Sequence, residues 1–136
     1  SRFLNKIIDW AETNIKKGPI CVSTSADVDG VKRAQEILGR DGAAALADEI
    51  LGKSAAALKD LGVRKFVVAG GETSGAIVNG LGLQELKIGK EIAHGVPALW
   101  SPNSNCNKPV SVTLKSGNFG QADFFKRALQ ILRGKT

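Results

Sequence analysis

Apolar residues recur at helical spacing through much of the first half of the chain. They fall every three or four positions over residues 2–17, which predicts a helix. Residues 20–24 are rich in β-branched side chains and predict a short buried strand followed by a polar loop. Residues 31–38 and 41–61 predict two further helices, the second with Leu46 on its apolar face.

The second half of the chain alternates strand and helix patterns, with glycine-rich turns between them. Residues 65–69 form the clearest strand pattern, and a helix pattern follows over residues 73–81. Shorter strand patterns cover residues 84–92, 97–100 and 110–115, and residues 124–132 predict a terminal helix. This alternation predicts an α/β fold, a three-layer α/β/α domain with a mixed, mostly parallel sheet, in which residues 1–136 form a single domain.

The composition is that of a globular protein with a basic surface. Hydrophobic residues make up 43% of the 136 residues and charged residues 24%, which suits one compact domain. No run approaches the roughly 18 apolar residues of a membrane helix, so we expect a cytoplasmic protein without a membrane partner. The formal charge of +6 favours anionic ligands, but the basic residues are scattered without interleaved aromatic residues, and we therefore do not expect a nucleic-acid partner.

Disulfide and metal chemistry have little support in the sequence. Cys21 and Cys106 lie far apart and outside any CxxC pair, so we expect reduced structural thiols. Asp27 and Asp29 lack the further ligands of an EF-hand loop, which favours an Asx-turn. His94 has no sequence-adjacent partner and is interpreted as structural. We therefore predict no metal site made by the protein alone.

The first glycine-rich loop, Gly70-Gly71-Glu72-Thr73-Ser74-Gly75, joins a strand pattern to a helix pattern. Its two glycines let the backbone approach a ligand, and the helix start offers unpaired N–H groups to a phosphate. Thr73 or Ser74 would cap the helix and donate a hydroxyl to a phosphate oxygen, while Glu72 would meet a magnesium ion, a ribose hydroxyl or a lysine. Because the loop matches neither GxxxxGK[ST] nor GxGxxG, an ordinary strand-to-helix turn stays open as the alternative.

The second glycine-rich loop, Lys115-Ser116-Gly117-Asn118-Phe119-Gly120, follows another strand pattern. Lys115 would neutralise phosphate charge, although a plain turn with a solvated lysine is again the alternative. Ligands of open α/β sheets bind at the carboxyl ends of the strands. We therefore predict that both loops lie at that edge.

Both loops belong to a wider pattern of four strings, VVAGGETSG at residues 67–75, Gly95-Val96-Pro97, LKSGNFG at residues 114–120 and Asp123-Phe124-Phe125. This pattern resembles the four-carbon acid sugar kinases, of the 3-oxo-tetronate, threonate and erythronate kinase type. The resemblance covers nearly all of the chain and implies the C-terminal, nucleotide-binding domain of that family. Members have also been labelled Hrp-dependent type III effectors.

The resemblance implies a site for ATP with Mg²⁺ at the two loops. The first loop would surround the ATP phosphates, and the second would supply a further nucleotide contact. Residues 23–27 resemble the strand-end segment that precedes the long helices of the family. The cofactor-binding residues predicted in this way are Gly70, Gly71, Glu72, Thr73, Ser74, Gly117 and Asn118.

The resemblance also implies parts of the protein that lie outside this chain. The family's nucleotide domain opens with an additional glycine- and serine-rich strand and helix, and a separate N-terminal domain binds the acid sugar. We therefore expect residues 1–136 to be most of the C-terminal domain of a larger two-domain kinase and to be inactive alone. The complete protein would transfer a phosphoryl group from MgATP to a sugar hydroxyl.

A non-catalytic nucleotide-binding or protein-interaction module is the alternative function. It would keep the fold while lacking the chemistry. The sequence leaves open which residue is catalytic, which acid sugar is phosphorylated and whether the protein is a homo-oligomer.

Overall fold

The computed structural model describes residues 2–24, 28–102, 109–116 and 122–133. None of the helices in these ranges is long and apolar enough to cross a membrane. The elements of the described ranges are, in chain order, α1 (Arg2–Asn14), α2 (Val28–Leu38), α3 (Arg40–Asp60), β1 (Lys65–Ala69), α4 (Gly71–Gly80), β2 (Lys87–Ala93), β3 (Val96–Ser101), β4 (Val110–Lys115) and α5 (Phe124–Leu132).

The four strands form one mixed sheet in the order β1-β4-β3-β2. β1 and β4 pair in parallel, with Lys65 opposite Ser111 and Ala69 opposite Lys115. β3 is antiparallel to both β4 and β2. The predicted α/β class and mixed sheet are confirmed. Three strands run in the same direction, although only the β1–β4 pair is parallel.

Each face of the sheet buries its own apolar core. Successive side chains of β1 point to opposite faces, so Phe66 and Val68 face α3 and α4 whereas Val67 faces α5. On the α5 side, Phe124 is buried in the core and fixes the start of the helix that follows the second loop. The first core also contains Ala55, Ile77, Leu81, Leu83, Val110 and Val112, and the second contains Ile92, Val96 and Ala128.

Helices α3 and α4 pack with their backbones in contact. A Cβ added at Gly80 would lie 2.8 Å from the carbonyl carbon of Gly52 and 2.9 Å from its Cα. A Cβ added at Gly52 would lie 3.0 Å from the carbonyl oxygen of Ala76. Such distances leave no room for side chains, so glycine is required at Gly80 for the helices to approach this closely.

The close approach explains why the predicted apolar face of α3 is partly wrong. Leu46 is 44% exposed, whereas α3 buries the small residues Gly52, Ser54 and Ala55. A leucine cannot enter an interface in which two backbones touch. The helix therefore packs on its small residues, and its leucines lie at the margin or outside.

Two side chains of α3 also hold the ends of α4. The Asp48 carboxylate accepts a hydrogen bond from the Thr73 hydroxyl in the first turn of α4, at 3.3 Å. The Lys59 ammonium donates to the carbonyl oxygen of Leu81, just after the last turn, at 2.7 Å. Because the contacts advance along both helices together, α3 and α4 run side by side in the same direction.

The predicted strand over residues 20–24 is wrong. These residues form no strand, and β1 has β4 as its neighbour on one side only. A groove of about 890 Å³ lies between residues 18–24 and β1. A strand needs a neighbour for its backbone hydrogen bonds, and the groove separates this segment from the nearest one. For the same reason Cys21, expected as a structural thiol within that buried strand, is exposed; Cys106 lies outside the described residues.

Replacing Gly80 with alanine should destabilise the chain, because the new methyl group would push α3 and α4 apart. We expect the free energy of unfolding to fall by about 1–3 kcal/mol, the usual cost of overpacking. Gly75→Ala is the matched control, since a Cβ at this exposed position of α4 meets nothing within 4 Å. It should be neutral or stabilising by up to about 1 kcal/mol. Urea unfolding of both variants measures the difference, and equal stability would contradict the contact.

Candidate functional site

Both glycine-rich loops leave the same edge of the sheet. Because β1 and β4 are parallel, their carboxyl ends, Ala69 and Lys115, lie side by side. The N–H of Gly70 donates to the carbonyl oxygen of Lys115 at 2.7 Å, so the first residues of the two loops are hydrogen-bond neighbours. The predicted convergence is seen as far as Ser116, and Gly117 and Asn118 lie outside the described residues.

The two glycines of the first loop have different surroundings. Gly70 has φ +122°, a conformation that favours glycine, and a Cβ added there would lie 3.3 Å from the Thr73 hydroxyl oxygen. Gly71 begins α4, is exposed, and has no atom within 4 Å of an added Cβ. The chain therefore turns at Gly70 and presents open backbone at Gly71.

The prediction that Thr73 or Ser74 caps α4 is wrong. The N-cap is Gly70, which has no side chain, and no side-chain hydrogen bond caps the helix. The Ser74 hydroxyl donates to the carbonyl oxygen of Gly70 at 2.7 Å, and the Thr73 hydroxyl donates to Asp48. Both residues fall inside the first turn, where a hydroxyl meets a carbonyl four residues back or a neighbouring helix.

The uncapped start of α4 offers backbone donors to a ligand. In the described part of the chain, the N–H groups of Gly71, Glu72 and Thr73 have no capping side chain as partner. Unpaired first-turn N–H groups and the positive end of the helix dipole together favour an anion. The arrangement is therefore suited to a phosphate group.

The charged side chains at this edge differ in their exposure to solvent. Glu72 is exposed in the first turn of α4. Lys115 is half-buried, with its ammonium 5.7 Å from the centre of the Phe124 ring and 3.4 Å from the carbonyl oxygen of Ser116. Lys115 is thus not a fully solvated lysine, because it lies against the first residue of α5.

Two further segments reach the same edge. Ser23 and Thr24 line the groove beside β1 together with Thr73, while residues 25–27 lie outside the described ranges. His94, interpreted from the sequence as structural, is exposed in the β2–β3 turn. This turn lies at the same edge because β2 runs in the direction of β1 and β4. Gly95 fixes the turn with φ +76° and donates its N–H to the Glu91 carboxylate at 2.9 Å.

Asp48, whose carboxylate contacts the first turn of α4, is a residue that the sequence did not single out. It lies 25 positions before its partner Thr73, on a different helix. The available signal was the series of small residues on α3, since Gly52 follows Asp48 by one helical turn. A glycine buried on a helix indicates a close neighbour, and a polar residue one turn away would then lie beside that neighbour.

The chain matches a known protein family and several named relatives. The family described as "nucleotide-binding C-terminal domain" matches residues 1–125. Over 116 residues, or 85% of the chain, the sequence is 47% identical to a 3-oxo-tetronate kinase of Burkholderia multivorans. Over 123 residues, or 90% of the chain, it is 45% identical to a 3-oxo-tetronate kinase of Methylobacterium radiotolerans.

The fold is shared with a solved structure. The crystal structure of Haemophilus influenzae protein HI1011 superposes with a TM-score of 0.82 and 34% identity, over 97% of this chain and 31% of that one. The two kinases are likewise matched over only 26% and 28% of their lengths. The chain therefore spans about a quarter to a third of the proteins that it resembles.

Replacing Gly70 with alanine should strain the loop, because a side chain is unfavourable at φ +122° and would crowd the Thr73 hydroxyl. We expect the free energy of unfolding to fall by about 1–3 kcal/mol. The neighbouring Gly71→Ala should leave it unchanged or raise it by up to about 1 kcal/mol. Chemical unfolding of the two variants tests this contrast, which equal stabilities would refute.

Proposed function

The chain belongs to the nucleotide-binding C-terminal domain family, and we propose that it is the ATP-binding domain of a kinase that phosphorylates a four-carbon acid sugar. The observation that carries this proposal is the 2.7 Å hydrogen bond between Gly70 and Lys115, which joins the two glycine-rich loops at the carboxyl edge of the sheet. Nucleotides bind at this edge in open α/β sheets.

In the proposed complex the first loop receives the ATP phosphates. The N–H groups of Gly71, Glu72 and Thr73 point from the uncapped start of α4, and the open space at Gly71 admits a phosphate close to the backbone. Ser74 holds the loop in shape through its bond to Gly70. We propose Gly117 and Asn118 as the contacts from the second loop.

Magnesium would enter as part of the ATP complex. Among the described residues, no group of three or more His, Cys, Asp or Glu side chains could hold a metal ion. Mg²⁺ with ATP commonly uses only one or two carboxylates, with phosphate oxygens and waters as the other ligands. The exposed Glu72 in the first turn of α4 is suited to this role, and the metal would neutralise the phosphate charge.

The chemistry of the complete protein would be phosphoryl transfer, which depends mainly on positioning and charge neutralisation. Residues of this chain bind and orient the ATP phosphates, and the sugar would be held by a domain outside it. The relatives reported above are named 3-oxo-tetronate kinases. We therefore propose 3-oxo-tetronate, ahead of threonate and erythronate, as the acid sugar.

The groove beside β1 supports the proposal that this domain is part of a larger protein. Its volume is about 890 Å³. Alternate backbone groups of β1 face this groove, because β4 lies on the other side only. We propose that a further segment of the complete kinase fills it.

ATP binding can be tested by thermal unfolding with and without MgATP. At about 100 times its dissociation constant, the ligand should stabilise the chain by roughly 2.7 kcal/mol, which raises Tm by about 10 °C. Gly71→Val should retain the Tm of the free chain and lose the shift, because its side chain would occupy the phosphate position. Gly117→Val should also lose the shift, whereas Gly75→Ala, at an exposed position on the same helix, should keep it.

The outcomes separate the two functions considered. A shift that Gly71→Val and Gly117→Val abolish supports the nucleotide site. Without a shift in the chain, the measurement is repeated on a longer protein that contains the acid-sugar domain. Failure there as well contradicts ATP binding and favours the interaction-module alternative.

The choice of acid sugar is a separate prediction for that longer protein. We expect it to phosphorylate 3-oxo-tetronate with a higher kcat/KM than threonate or erythronate, as measured by a coupled ADP assay. The Gly71→Val variant provides the background rate. A preference for either of the other two sugars would overturn the proposed substrate while leaving the ATP site intact.

A further inference from the structure

We propose that Asp48 is a positioning residue of the nucleotide site, which acts by holding Thr73 in place so that the N–H groups in the first turn of α4 face the bound phosphates. This inference rests on the proposed ATP-binding function. Asp48 belongs to α3, outside both glycine-rich loops, and it is not among the site residues predicted from the sequence.

The Thr73 hydroxyl lies between Asp48 and Gly70. Its oxygen is 3.3 Å from the Asp48 carboxylate and 3.3 Å from the place where a Gly70 Cβ would be. The distance to Asp48 exceeds the roughly 2.7–2.8 Å that is usual for O–H···O bonds. Such bonds in ligand-free sites are often long and tighten when the ligand binds.

Donation to Asp48 sets the direction of the Thr73 proton. The hydroxyl proton points to α3, so the donor that Thr73 keeps for a phosphate is its backbone N–H. A β-branched side chain with one hydroxyl rotamer fixed costs less conformational entropy when the ligand arrives. Asp48 therefore prepares the loop before any nucleotide is bound.

The packing of α3 on α4 determines the position of Asp48. Gly52, one turn later on α3, touches the backbone at Ala76 and Gly80, so the start of α4 is held beside Asp48. The adjacent Glu49 instead faces solvent and pairs with Lys53 at 2.7 Å. The hydrogen bond from Lys53, together with its positive charge, lowers the pKa of Glu49. Glu49 thus provides a control carboxylate on the same turn.

The test is a double-mutant cycle on MgATP affinity, measured by isothermal titration calorimetry at a temperature where every variant is folded. Asp48→Ala and Thr73→Val should each weaken binding by about tenfold, the effect of losing one hydrogen bond to a charged group. The double variant should be no weaker than Thr73→Val, because Asp48 acts through Thr73. Asp48→Asn should recover most of the loss, since its amide oxygen accepts the same bond. Glu49→Gln should bind as the wild type does.

The possible results distinguish this proposal from the proposed function. If neither the wild-type chain nor the longer protein binds MgATP, the proposed function is overturned and this inference with it. Normal binding by Asp48→Ala, or losses that multiply to about a hundredfold in the double variant, would overturn only the role of Asp48. A stability loss in Asp48→Ala with unchanged affinity would show a purely structural carboxylate and would also overturn it.

Discussion

The contact between the backbones of α3 and α4 at Gly52 and Gly80 is the constraint on which the rest of the site depends. A contact this close defines both the separation of the two helices and their relative rotation, since neither backbone can move nearer and no side chain fills a gap. It brings Asp48 beside Thr73 at one end of α4 and Lys59 beside Leu81 at the other. The first turn of α4, where the proposed phosphates bind, is thus positioned by packing far from the ligand.

The parallel β1–β4 pair supplies the second constraint. Adjacent parallel strands end at the same edge, so the loops after Ala69 and Lys115 must start side by side although some 45 residues separate them in sequence. The intervening β2–β3 hairpin serves this arrangement. Because β3 runs in the opposite direction, it returns the chain to the starting end of the sheet, and β4 can then run parallel to β1.

Much of this architecture was predictable from local pattern. The strands at residues 65–69 and 110–115 were predicted with their observed bounds, because each is a short run rich in β-branched and apolar residues between clear turn signals. The resemblance to the C-terminal domain of the four-carbon acid sugar kinases is also confirmed by the family and the relatives that match. The residues of the first glycine-rich loop are contiguous in sequence, so their proximity could be predicted without knowledge of the fold.

The errors at residues 20–24 and at Asp48 share one physical cause, which is that they depend on a neighbour distant in sequence, whereas the cap error is local. Residues 20–24 have the composition of a strand but no strand beside them. Thr73 has the chemistry of a cap, yet the turn at Gly70 moves the cap position away from it. Asp48 is an ordinary polar residue on its own helix, and its proposed role follows only from its contact with α4. Local propensity cannot contain such information, because the partner is chosen by tertiary packing.

Helix α4 shows why a site of this kind needs external support. Three of its ten residues are glycine, and Gly75, the one inside the helix, costs roughly 1 kcal/mol relative to alanine. Gly71 leaves open backbone for the proposed ligand and Gly80 admits α3, so the glycines at the two ends of the helix have a use that a larger residue would remove. The helix is therefore formed by its contacts with α3 rather than by its own propensity. It follows that the proposed nucleotide binding at its start and the packing against α3 would stabilise the same few turns, which would couple affinity and stability through α4.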